Sequence, residues 1–256
     1  HVAGYGITTG YSNVAIGNES LYATTTGYQN TAVGYEAGEN STTGYRNTCI
    51  GWRSMHSGVT TGAENAGVGM ETLRDLTSGN WNSGIGRSAG EQITTGSNNT
   101  CLGRNSGRNG SPSGQITTSS HNVVLGDNSV QNLYCADTSI SSSDKRDKTD
   151  IADFTHGLNW VNQLKPVTYR WDKRSWYSED LSVTPDGTHK RNKKHIGFLA
   201  QDVLAIEGNP TSKDDMLIVN LNEDDTAYGL KYERLVPVLV NAIKELSAKV
   251  TALEAA

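Results

Sequence analysis

The side chains in this chain that could do chemistry are few, and their spacing excludes most of what they could do. Cysteines stand at Cys49, Cys101 and Cys135, too far apart for a disulfide framework or a metal knuckle. Cys49 and Cys101 share a repeat phase with Ala15 and Ala32, which makes them small buried fillers rather than redox groups. Asp214-Asp215 and Glu223-Asp224-Asp225 lack the ligand spacing and the glycine of a calcium loop. His156 and His195 belong to no zinc pattern. No metal site and no cofactor is therefore expected. There is no phosphate loop and no carboxylate pair in a glycosidase setting. The basic run from His189 to His195 reads as a solvated loop between strands. One stretch remains, Ser139-Ile140-Ser141-Ser142-Ser143 running into Asp144-Lys145-Arg146-Asp147-Lys148-Thr149-Asp150-Ile151. On its own residues it reads as a solvated linker.

The elements around that stretch differ sharply in composition. Of 28 glycines, 23 lie at or before Gly126, and no lysine precedes Lys145. Only 35% of residues are hydrophobic, so apolar side chains are scarce for a compact single chain of 256 residues. The chain reads as two materials joined near Ser143. A net charge of −5 argues against an electrostatic grip on nucleic acid. No apolar run approaches the length of a membrane span, so no membrane insertion is expected. No signal-like segment opens the chain, and a start at His1 rather than Met is expected of a fragment or a processed piece.

The glycine-rich part is a repeat. Segments of the form T-[TS]-[GS]-x-x-N-x-x-[VIL]-G end at Gly17, Gly34, Gly51, Gly69, Gly86, Gly103 and Gly126. Their asparagines are Asn13, Asn30, Asn47, Asn65, Asn82, Asn99 and Asn122, six of them in steps of 17 or 18 and the last after a longer insertion. Each unit holds an apolar stretch too short for a helix, such as Val14-Ala15-Ile16, bounded by turn-forming Gly and Asn. A single unit cannot bury its own apolar face, so the units must stack as coils of a solenoid. Aligned asparagines can then form a ladder inside the stack. Each coil contributes about one large aliphatic, Ile16, Val33, Ile50, Val68, Ile85, Leu102 or Leu125, and several chains are expected to pool these along a common axis. Tyr11, Tyr28 and Tyr45 share a phase and suit a packing strip, or a strip for ligand contact. The insertion Arg108–Gly114 is expected to be a surface loop.

N-V-A-I-G and N-T-A-V-G resemble the head repeats of trimeric autotransporter adhesins and of phage fibre shafts, which implies a trimeric β-roll. A second resemblance covers the rest of the chain. SDKRDKTDI is similar to the S-D-x-R-x-K-x-x-I opening of the intramolecular chaperone domain of phage endosialidases, tail spikes and tail fibres. LNWVNQLKPVTYRW (158–171), HIGFLAQDV (195–203) and YGLKYERLVPVLVNAIKEL (228–246) occur in that family's order. The resemblance implies a self-cleaving serine endopeptidase with a Ser-Lys dyad. By position Ser143 is the nucleophile and Lys148 the general base, with Asp144 and Arg146 in positioning or oxyanion roles. A serine hydroxyl needs such a base, and an ammonium serves only when burial or neighbours lower its pKa. Ser143 Oγ reaches the Ser142 carbonyl through a five-membered ring, which favours cleavage at Ser142–Ser143. Attack by a neighbouring protomer would cut Ser143–Asp144 instead.

At the chain end Tyr232, Val236, Leu239, Ile243, Leu246, Val250 and Leu253 step by 4 and 3, a heptad seam. Pro237 must lie in the first helical turn, so the helix starts near Arg234. Glu245 and Lys249 are placed as a pair on the outer face. Its β-branched and Leu positions favour a dimer in isolation, whereas both resemblances imply a homotrimer. The expected organisation is a repeat shaft over 1–130, a linker over 131–142, an α+β chaperone and autopeptidase domain over 143–232, and a coiled-coil helix over 233–256. The whole is expected to be the C-terminal part of a virion tail fibre or tail spike, binding a host surface receptor such as a glycan or outer-membrane component. Its chaperone domain would leave in the host cytoplasm during assembly. The alternatives are a trimeric surface adhesin that never cleaves and, last, a shaft that degrades host polysaccharide.

Overall fold

A computed structural model describes residues 2–134, 143–178 and 181–256. The chain divides into two compact units. The first holds residues 1–131 with the segments 173–186 and 222–226; the second holds 132–172, 187–221 and 227–256.

The first unit is a parallel β-solenoid. Its strands are β1 (Val14–Ile16), β2 (Thr31–Val33), β3 (Thr48–Ile50), β4 (Ala66–Val68), β5 (Ser83–Ile85), β6 (Thr100–Leu102) and β7 (Val123–Leu125). They pair in sequence order, each in parallel register with the next, so equivalent repeat positions stack. The asparagine ladder forms beneath them. Asn47 N–H donates to Asn30 Oδ1 at 2.9 Å and Asn82 N–H to Asn65 Oδ1 at 2.8 Å, and the pattern runs from Asn13 to Asn122. Each side-chain amide from Asn13 to Asn82 also donates to a glycine carbonyl one coil on, as Asn65 Nδ2 does to Gly79 O at 2.9 Å. A buried amide is thus satisfied at both ends, which a lone asparagine in a core is not. At the repeat-ending glycines from Gly17 to Gly86 the backbone of the next coil passes too close for a side chain. Gly69 has φ +138°, and a Cβ there would lie 2.5 Å from Gly86 O.

The coils are richer inside than the repeat motif alone indicates. Leu21, Met55, Leu73, Leu76, Ile93 and Ile116 are fully buried within one chain, against Cys49 and Cys101. They lie outside the ten-residue motif, so the reading of about one large aliphatic per coil undercounts. From β3 to β7 the middle residue is buried and the last exposed, and in β2 Ala32 is buried while Val33 is half-buried. Ile16, Ile85 and Leu125 are accordingly 59%, 52% and 44% exposed, part of an aliphatic column along the solenoid surface. The insertion after Arg108 is less of a surface loop than its composition indicates. Ser111 is buried and its hydroxyl donates to Gly114 O.

The second unit is a small α+β region. Its elements are α1 (Leu158–Val161), β8 (Val167–Tyr169), β9 (His195–Gly197), α2 (Ala200–Ile206), β10 (Val219–Leu221), β11 (Tyr228–Leu230) and α3 (Leu235–Glu254). β8 pairs antiparallel with β9, and β10 with β11. Trp160, Val203, Met216, Ile218, Val219, Leu235 and Val238 form its core. Pro237 is the third residue of α3, where the N–H it lacks would have no helical partner. The inner face of α3 carries Leu235, Val238 and Ala242, while the heptad residues Val236, Leu239, Ile243, Leu246, Val250 and Leu253 are exposed. Glu245 faces α1 rather than serving an outer-face pair, because its Oε2 accepts from Leu158 N–H at 3.1 Å and caps that helix.

Candidate active site

Ser143 and Lys148 are brought together by a tight local turn. A single 3-10 turn, Lys145–Asp147, folds the five-residue span back on itself. Asp144 is its N-cap, with Oδ1 accepting from Arg146 N–H at 2.9 Å. The Arg146 guanidinium returns to the same carboxylate, Nη2 at 2.6 Å and Nε at 3.1 Å, so the cap and the middle residue of the turn lock each other. That guanidinium, reinforced by the backbone bond, holds the Asp144 carboxyl below its ordinary pKa. Lys148 N–H closes the turn on Lys145 O at 3.3 Å. As a result Lys148 Nζ donates to Ser143 Oγ at 2.6 Å. A hydroxyl and an amine at this distance can exchange a proton without further movement. Both are exposed in the single chain.

Arg146 is engaged in a fork with Asp144, the other residue given a positioning or oxyanion role by resemblance. Ser142, the residue expected on the other side of the cleaved bond, lies outside the described residues, as does most of the 131–142 linker.

Beyond the turn, the last helix anchors the segment that leads into α1. Asn241 Nδ2 donates to Phe154 O at 2.6 Å and to His156 O at 3.2 Å, and Glu245 takes Leu158 N–H. A row of rings, Phe154 edge-on to His156 and His156 stacked near Trp160, leads into the core. Sequence spacing alone places Glu245 on the opposite face and gives Asn241 no role. The one signal is that Asn241 and Glu245 fall four apart and off the heptad seam.

The tyrosine strip forms. Tyr11, Tyr28 and Tyr45 stack with centroids 5.0 and 4.9 Å apart, nearly parallel, so each inner ring face packs on the next tyrosine, while Tyr11 stays exposed.

A parallel β-solenoid running into a small α+β region with a long terminal helix is the architecture these residues build. Residues 143–211 match the family model described as chaperone of endosialidase, Peptidase_S74. No curated protein matches the chain, and no solved structure matches it. The family match opens at Ser143 itself, and the family's name implies an auto-cleaving peptidase. A β-solenoid followed by an endosialidase-type chaperone region suggests a phage tail fibre chaperone.

Proposed function

We propose that this chain is the C-terminal part of a phage tail fibre or tail spike, whose residues from Ser143 onward drive trimerisation and then cut themselves free. The observation that carries the reading is the 2.6 Å contact of Lys148 Nζ with Ser143 Oγ, at the first residue of the family match. In the reaction a neutral Lys148 amine takes the Ser143 hydroxyl proton. Oγ adds to the Ser142 carbonyl through a five-membered ring. The Ser142–Ser143 C–N bond breaks as the Ser143 nitrogen receives that proton from Lys148, leaving an ester. Water then hydrolyses the ester to a Ser142 carboxylate and restores the Ser143 hydroxyl. Because both groups come from one chain, the step is effectively unimolecular and turns over once.

Exposure of the dyad supports a link between cutting and assembly. Lysine acts as a base only when it loses its proton, and burial favours that loss. Association of three chains over the site would supply the burial. Two exposed apolar surfaces support self-association, the aliphatic column of the solenoid and the heptad seam of α3, and the resemblances favour a homotrimer. Register is the problem such a trimer solves, since repeats of nearly constant length can pair one coil out of phase at little cost. Cleavage afterwards removes the route back, so the fibre is held by an unfolding barrier. The shaft would remain on the virion and meet a host surface receptor, and the C-terminal region would be left in the host cytoplasm.

Denaturing electrophoresis with intact mass tests this directly. The folded wild type should yield two fragments meeting at Ser143, while Ser143→Ala and Lys148→Ala leave one full-length chain. A wild-type chain that forms trimers and stays whole would sink the peptidase reading and favour a non-cleaving trimeric adhesin. A fragment beginning at Asp144 would show attack from a neighbouring protomer.

A further inference from the structure

We propose that Glu36, Glu39 and His56 form a binding site for one divalent transition-metal ion, linking two successive coils of the solenoid. Glu39 and His56 occupy the same position of neighbouring coils, 17 residues apart, and Glu36 precedes Glu39 by one turn. His56 Nε2 lies 2.8 Å from Glu39 Oε2 and 3.0 Å from Glu36 Oε2. One nitrogen therefore faces two carboxylates, and the three donor atoms lie within 4.8 Å of one another. The imidazole is oriented from behind: its Nδ1 lies 3.1 Å from Ser57 Oγ. In the tautomer whose Nδ1–H donates to that hydroxyl, the Nε2 lone pair faces the carboxylates and is available to a cation between them. Asn40 Nδ2 donates to His56 O at 2.7 Å and ties the histidine backbone to the coil before it.

The charge balance leaves room for the ion. Glu36 is buried and is reached by the Arg53 guanidinium from the neighbouring coil. Arg53 Nε donates to Glu36 Oε2 at 2.6 Å and cancels one of the two negative charges. With a neutral imidazole the group carries one net negative charge. Further along the same column Glu91 meets the opposite solution, with Arg74 Nη1 at 2.5 Å from one side and Arg108 Nε at 3.1 Å from the other. Glu39 has His56, a metal ligand, where Glu91 has arginines.

Donor chemistry selects the class of ion. One imidazole nitrogen and two carboxylate oxygens suit Ni²⁺, Co²⁺ or Cu²⁺, with water in the open positions. Imidazole disfavours Ca²⁺ and Mg²⁺, which prefer oxygen. Glu39 and His56 are partly exposed, so the ion can enter from solvent. Sequence alone does not reveal this site, because its residues meet through coil stacking rather than through any short motif.

Equilibrium dialysis of the full chain against Ni²⁺ is the test, with Ca²⁺ and Mg²⁺ as controls. One Ni²⁺ per chain should bind and raise the unfolding midpoint of the solenoid. His56→Ala should lose that equivalent, and Glu39→Gln, nearly isosteric and so safe for folding, should weaken it at least tenfold. His156→Ala, in the other unit, should keep it. Cu²⁺ bound in place of Ni²⁺ should give an electron paramagnetic resonance spectrum with coupling to a single nitrogen. No stoichiometric uptake, or uptake that Glu39→Gln and His56→Ala leave unchanged, overturns the site. So does a spectrum indicating more than one nitrogen.

Discussion

Along the solenoid each coil repeats one solution, whereas the C-terminal region uses each contact once. In the coils a side-chain oxygen meets the next coil's backbone N–H from Asn13 to Asn122, and small residues let the strands stack. In the C-terminal region a single asparagine, Asn241, and a single glutamate, Glu245, hold a whole segment against α3. Redundancy suits a shaft, whose stability is close to a sum of identical neighbour terms. The exposed apolar groups show the same division: a continuous column on the solenoid, a seam on one helix in the second unit.

Breaking the ladder from inside should have the largest effect on stability. Asn65→Ala removes the partner of buried Asn82 N–H and leaves Gly79 O without its donor, so it should cost about 3 kcal/mol or more. The same substitution in the other region, Asn241→Ala, loses two bonds at an exposed site and should cost no more than about 1 kcal/mol. Urea unfolding of both variants measures the contrast, and equal losses would remove it.

A second pair separates inward from outward leucine. Leu73→Ala empties a fully buried position and should cost about 2–5 kcal/mol. Leu246→Ala, 52% exposed on the α3 seam, should change the unfolding of a single chain by no more than about 0.5 kcal/mol. It should weaken association measured by analytical ultracentrifugation. A large loss of single-chain stability in Leu246→Ala would mean that the seam is buried within the chain.

A smaller effect is expected from acid. The Glu36 carboxyl is held below its ordinary pKa in the folded solenoid, so its contribution is present above the unfolded carboxylate range. It should fade as pH falls through the folded value, and Glu36→Gln should flatten that part of the stability profile. Smallest of all is thiol reactivity. Burial alone pushes Cys49 up to about 12 and Cys101 up to about 11, so iodoacetamide at neutral pH should label neither until the solenoid is denatured.

Much of the solenoid was legible in the sequence because the coil imposes its period on the residues that must stack. Asn47 and Asn65 can satisfy one another only in phase, so their spacing is visible without coordinates. Leu21, Leu73 and Ile93 were not legible as core, because they lie outside the conspicuous motif on the far side of each coil. The inward or outward sense of Ala32 and Val33 was also hidden, since a three-residue strand alternates and only coil curvature decides which residue faces in. Ser143 and Lys148 were legible through resemblance. Their contact depends on the Asp144–Arg146 lock, which a few local residues are enough to build.

By itself the sequence determined the period, the ladder and the heptad seam, because each is set by residue spacing along the chain, and composition put the junction near Ser143. Tertiary structure alone decided that Glu245 caps α1, that Asn241 holds Phe154 and His156, and that Glu36, Glu39 and His56 converge on one point. Those groups are separated by between 17 and 87 residues, apart from neighbouring Glu36 and Glu39. Their meeting is set by how coils and helices pack.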